Sequence, residues 1–204
     1  RLSAHNFHLS AVKPDAEFLF RGMASVQLNF TFSPDGLQNQ QHRFSDISHT
    51  ISQFKQLSAN VHISLNISAK SVDIDLNALS ASSLLTNSLT ELSLQNTGLT
   101  SIQLHAFSTL TSLNLSGNKL QSIRSDTFSK SGQLLLLAEV YLSHNEIESL
   151  PSGLFLGLVC VRKLHLDHNR IAGTQDRHTF APSLASLEEL RLDHNEIRSI
   201  EAHT

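Results

Sequence analysis

Three histidines, His144, His168 and His194, each stand directly before an asparagine, in the tripeptides SHN, DHN and DHN, and a charged residue, Glu146, Arg170 or Glu196, follows two places on. Imidazole is the side chain that changes charge between neutral and endosomal pH. With twelve histidines and a formal charge of -3, acidification would turn the whole chain positive. A surface of that kind would take a polyanion such as nucleic acid only at acid pH, because phosphate contacts dominate that affinity. Asp167, Asp193, Glu146 and Glu196 pull the other way: they oppose phosphate while raising imidazole pKa values. The competing reading is that these are solvated residues at a tolerant position, since charged and imidazole groups are mostly exposed.

Other chemistry finds little footing. His165 and His168 sit on a strand and its exit with diverging side chains, so no metal is expected. No nucleophile with its base, no Gly-rich phosphate loop and no pocketed carboxylate pair occurs, so neither an enzyme nor a cofactor is expected. Cys160 is the single cysteine; it excludes an internal disulfide and reads as a buried or half-buried inert thiol.

The histidine column exists because the chain repeats. An apolar pattern recurs at Leu89-Leu92-Leu94-Thr97-Leu99, Leu110-Leu113-Leu115-Asn118-Leu120, Leu137-Val140-Leu142-Asn145-Ile147, Val161-Leu164-Leu166-Asn169-Ile171 and Leu187-Leu190-Leu192-Asn195-Ile197. The alternating doublet in each copy has the period of a strand with one face inward. Residues between the inward positions, such as Ser112, Asn114, Tyr141, His165 and Arg191, then face the hollow. Asn118, Asn145, Asn169 and Asn195 stand where the chain turns out of the strand, and buried amides must be paired, so they are expected to form a ladder, with Thr97 as a weaker rung. Phe107, Phe128, Phe155 and Phe180 recur ten or eleven residues later and predict an aromatic spine on the opposite side. The pattern is that of a leucine-rich repeat solenoid: a strand-dominated α/β horseshoe with a parallel concave sheet and irregular convex loops. Copies are spaced 21 to 27 residues apart, and Ser129 to Gln133 and Gly173 to Arg177 are the loops expected to absorb the difference.

Upstream the pattern decays. Phe20, Met23, Val26 and Leu28 give a loose copy with Thr31 in the Asn position, and Val72, Ile74, Asn77 and Leu79 a cleaner one. Ser33 to Arg43 reads as a protruding loop, and Val61 to Ile67 alternates like a strand. Residues 1–204 thus form one continuous array of roughly eight repeats, degenerate over 1–80 and regular over 81–204. Neither end carries a cap, so the chain is expected to be a fragment of a longer ectodomain that folds poorly alone; no leader, membrane span or signalling module lies within these residues, which excludes none of them from the parent. Three sequons, Asn29-Phe30-Thr31, Asn66-Ile67-Ser68 and Asn114-Leu115-Ser116, are glycosylation candidates. Asn114, between Leu113 and Leu115, points to the concave face, where a glycan would obstruct a ligand.

The stretch LSHNEIESLPSGLFLGL, Leu142 to Leu158, resembles the Phe-containing repeats of animal extracellular proteins, among them Toll-like receptors, Slit, small proteoglycans and lamprey variable lymphocyte receptors. The uneven repeat lengths are most similar to a Toll-like receptor ectodomain. That resemblance implies an innate immune pattern-recognition receptor: membrane-anchored as a type I protein, facing the extracellular space or the endosomal lumen, and pairing with a second ectodomain around a microbial ligand such as nucleic acid. It implies a ligand-binding edge at His144, Glu146, His168, Arg170, His194 and Glu196. The alternative is a secreted or cell-surface adhesion or matrix protein whose concave face binds a protein.

Overall fold

The computed structural model describes residues 25–32, 62–69, 87–102, 104, 107–129, 134–180 and 184–201. Nine strands run through them: β1 (Ser25–Phe32), β2 (His62–Ala69), β3 (Leu89–Ser93), β4 (Ser112–Asn114), β5 (Glu139–Tyr141), β6 (Lys163–His165), β7 (Ala172–Gln175), β8 (Glu189–Arg191) and β9 (Glu196–Ile200). Two single-turn helices, α1 (Asp126–Ser129) and α2 (Arg177–Phe180), lie on the return path. The main sheet has the order β1-β2-β3-β4-β5-β6-β8, and every pairing in it is parallel. Each strand is one coil of a solenoid.

The strands form because every coil buries the same two positions. Leu92, Leu113, Val140 and Leu164 are in register, each at most 1% exposed, and Leu94, Leu115, Leu142 and Leu166 behind them are fully buried. A buried leucine contributes about 1.5–3 kcal/mol, and a one-residue slip would turn the whole set outward. The last coil is less covered, with Leu190 39% and Ile200 47% exposed.

Asparagine supplies the stitching between coils. Asn145 Nδ2 donates to the carbonyls of Leu115 and Leu142, both at 3.0 Å, while its Oδ1 accepts from Leu120 N at 3.2 Å. Asn118 does the same with Leu94, Leu115 and Leu99. Asn169 bonds Leu142, Leu166 and Ile147, and Asn195 bonds Leu166, Leu192 and Ile171. The rungs therefore run from side chain to backbone, one coil to the next. Only a short planar amide offers two donors and an acceptor at this reach. Thr97, one rung up, gives its hydroxyl to Leu94 O and Asn118 Oδ1, and its N–H also donates to Asn118 Oδ1.

On the far side Phe128 stacks on Phe155 with centroids 5.8 Å apart, and Phe155 on Phe180 at 6.1 Å. Phe107 is fully buried in the equivalent coil position.

Several expectations are corrected. Gly173 to Arg177 is not a loop: Ala172–Gln175 is β7, paired in parallel with β9, and Arg177 opens α2. The exit segments of two neighbouring coils thus make a second, two-stranded sheet, which a run containing glycine and no alternation does not announce. Ser129 closes α1, and 130–133 lie outside the described residues. Thr31 does not mark a strand exit; it stays in β1 opposite Ser68. The neighbour of β3 is β2, with Leu65 opposite Leu92, while Phe20, Met23, Ser33 to Arg43 and Val72 to Leu79 lie outside the described residues. Cys160 is exposed, because it sits in the turn entering β6 and its neighbour Val161 takes the inward position.

Candidate functional site

Parallel register turns the concave face into columns. One column reads Glu91, Ser112, Glu139, Lys163, Glu189 from coil to coil, and the next reads Ser93, Asn114, Tyr141, His165, Arg191. The second column extends upstream through Asn66 and Asn29. All three sequon asparagines therefore share one line: Asn29 by its register, Asn66 exposed, and Asn114 half-buried with its Oδ1 accepting from Ser116 N at 3.0 Å. The signal was present in the sequence, since Leu-Asn-Phe-Thr, Leu-Asn-Ile-Ser and Leu-Asn-Leu-Ser place each Asn between two apolar residues.

The lower half of the face is a polar network. Lys163 Nζ sits 2.9 Å from Glu139 Oε1, and Tyr141 OH donates to Glu139 Oε2 at 3.1 Å. The bond from Lys163 holds the Glu139 carboxyl below the usual range, and the same bond raises Lys163. Burial, and then the bond to Glu139, push the Tyr141 phenol up. His165 meets Tyr141 edge to face at 4.9 Å. Its shielded Nε2 lies 3.2 Å from Glu189 Oε1, poorly aligned for a hydrogen bond. Arg191 clasps the same Glu189 oxygen at 2.7 and 2.8 Å, which lowers the Glu189 carboxyl.

At the sheet edge the histidine column takes an unusual backbone. His144, His168 and His194 have φ of 55, 53 and 55°, and Asn96 and Gly117 hold the same position in earlier coils at 57 and 72°. Left-handed φ is uncommon outside glycine but favours Asn and His among the rest. Cross-coil bonds fix it: Asn96, Gly117, His144 and His168 each donate N–H to the next coil's carbonyl at 3.0 Å. A side chain at Gly117 would meet the end of the Asn96 side chain, which would have to turn aside; the imidazole column starts one coil later, at His144.

There the rings stack, His144 on His168 at 4.2 Å and His168 on His194 at 4.0 Å. Asp167 Oδ2 lies 3.0 Å from His168 Nδ1, and Asp193 Oδ2 lies 2.8 Å from His194 Nδ1. Asp167 is buried, and Ser143 Oγ donates to its other oxygen at 2.6 Å. Burial works to raise the Asp167 carboxyl, yet the bonds from Ser143 and His168 outweigh it and leave it lowered; Asp193 is lowered chiefly by His194. In the neighbouring column Glu146 pairs with Arg170 at 3.5 Å, while Glu196 opens β9. The six edge residues proposed from sequence thus come together, but much of their charge is already matched internally. Stacking was not legible, because it depends on coil spacing and on φ.

This architecture defines the class: residues 87–138 and 108–171 match the leucine rich repeat model, and these coils are leucine-rich repeats of a horseshoe solenoid. Among known proteins, osteomodulin of Rattus norvegicus is 37% identical over 93 residues, which is 45% of this chain and 20% of that protein. Keratocan of Danio rerio is 30% identical over 108 residues, 52% of this chain and 29% of that protein. The chain thus spans under a third of these relatives' length. InlP of Listeria monocytogenes has the same fold, with a TM-score of 0.53 at 20% identity over 87% of this chain and 44% of that one. Neither of these two sequence relatives is a Toll-like receptor. Among the described residues no helix is long and apolar enough to cross a membrane.

Proposed function

We propose that this chain belongs to a secreted or cell-surface matrix protein, non-enzymatic, whose concave face binds a protein partner. The observation that carries the reading is the row Tyr141, His165, Arg191 beside Glu139, Lys163, Glu189. Tyrosine and arginine are the residue types that dominate protein hot spots, and here each is held in place by a carboxylate two residues earlier on its own strand, Glu139 and Glu189. The likeness to osteomodulin and keratocan supports the same class and an extracellular location.

The sequon column bounds the contact. A glycan on Asn66 would cover the upper half of the hollow and leave the Tyr141 to Arg191 half open, whereas one on Asn114, next to Tyr141 in the register, would shift the contact toward His165 and Arg191. Neighbouring strands lie about 4.8 Å apart, so glycans on Asn29 and Asn66 would crowd one another.

The Toll-like reading, with a microbial nucleic acid bound at acid pH and ligand-driven pairing of ectodomains, draws less support. The carboxylates of Asp167 and Asp193 lie at 3.0 and 2.8 Å from His168 and His194, and negative charge at that edge opposes phosphate.

The test is retention of extracellular-matrix proteins and of double-stranded RNA on the immobilised glycoprotein at pH 5.5 and 7.5, in fixed salt. Discrete matrix proteins held at pH 7.5 and lost with Tyr141→Ala and Arg191→Ala would support the proposal. RNA held only at pH 5.5, and lost with His144→Asn and His168→Asn, would replace it with the sensor reading.

A further inference from the structure

We infer that the histidine edge is a binding site for one late first-row divalent metal ion, of which Zn2+ is the representative, with His144, Asp167 and His168 as ligands. Left-handed backbone alone does not account for the residues found there. Asn96 and Gly117 adopt the same conformation without imidazole, whereas three successive later coils place histidine at this point and two of them put aspartate immediately before it.

The donor geometry is close to what an ion needs. Nitrogen and oxygen donors each about 2.1 Å from one ion lie roughly 3.0 to 3.5 Å apart, and Asp167 Oδ2 is 3.0 Å from His168 Nδ1. A donor nitrogen of His144 lies within 4.8 Å of both. His144 is exposed, so rotation of its ring out of the stack closes that gap at little cost. Imidazole and carboxylate together suit zinc, nickel and copper better than calcium or magnesium.

The site is also supported from behind. Ser143 Oγ holds the far oxygen of Asp167 at 2.6 Å in a buried position, which fixes the carboxylate so that its other oxygen faces the ion. Ligation through Nδ1 would require the His168 tautomer that carries its proton on Nε2. His168, Asp193 and His194 form a second set within the same distance limit. That set shares His168, and its aspartate and histidine side chains are 58% and 65% exposed, so the two sets compete and the anchored one prevails. Three protein ligands leave a position open to water or to a partner's side chain.

The whole chain is titrated with Zn2+ by calorimetry and with Co2+ by visible absorption, at pH 7.5. One equivalent is expected, with a ligand-field band for Co2+ that Zn2+ abolishes. Asparagine keeps the left-handed backbone, as Asn96 shows, so His144→Asn and His168→Asn test ligation with the fold preserved, monitored by circular dichroism. Each should weaken binding by about tenfold or more, Ser143→Ala by roughly tenfold through loss of the supporting bond, and His194→Asn by less than about threefold. No saturable binding, or binding that is unchanged in His168→Asn, would overturn the site and assign any uptake to histidines elsewhere in the chain.

Discussion

Asn145 shows how much of this molecule rests on single side chains. Its amide satisfies two carbonyls and one N–H in two coils, all out of reach of solvent. Asn145→Ala would leave them unpaired at once. At 1–3 kcal/mol for an unsatisfied buried group, softened by relaxation, the expected loss is about 2–4 kcal/mol, read as a fall in the urea midpoint; a shift below about 0.5 kcal/mol would mean that backbone adjustment replaces the amide. The position of this asparagine was legible from the sequence because a fixed offset from an alternating doublet admits one geometry. That its amide would donate to and accept from neighbouring backbone followed from its place at the strand exit; which carbonyls and N–H it meets was not legible, since that depends on the coil spacing. The same limit hid the imidazole stack, although the DHN tripeptides marked its residues.

At the scale of elements, the concave strands were readable and the return path was not. Alternation identifies Ser112–Asn114 or Lys163–His165 as strands with one inward residue. Ala172–Gln175 and Glu196–Ile200 have no such rhythm, and they pair because their coils are already stacked. β1 and β2 run eight residues each, longer than the three- to five-residue strands that follow, which is why the Asn offset misplaced Thr31. The aromatic spine was foreseen, and it makes a quantitative claim. Phe155, 1% exposed and stacked on both sides, should cost about 3–5 kcal/mol on replacement by Ala. Half-buried Phe180, which stacks on Phe155, should cost less under the same denaturant titration. Equal losses would show that the coils unfold as one unit without regard to burial.

The whole molecule should respond to acid in a defined direction. Glu139, Asp167, Glu189 and Asp193 all have carboxyls held below their ordinary values by Lys163, by Ser143 with His168, by Arg191 and by His194 respectively. A depressed pKa in the folded chain contributes stability that is fully present above the unfolded value of about 4 and is lost as pH falls through the folded one. The thermal midpoint is therefore expected to decline below about pH 4, less steeply in high salt because most of these groups are solvent-accessible. A midpoint unchanged down to pH 3 would show that the pairs add nothing once screened. The function proposed above belongs to this scale too, since no single coil holds Tyr141, His165 and Arg191.

The stitching of each coil only to its immediate neighbours also sets how the chain would carry load. Tension applied along it reaches one rung at a time, so coils should peel away in succession, each releasing 21 to 27 residues, or roughly 70–95 Å of slack at 3.3–3.6 Å per residue. A solenoid stretched between two anchored partners would then lengthen in steps while the coils still wound kept their concave columns in line.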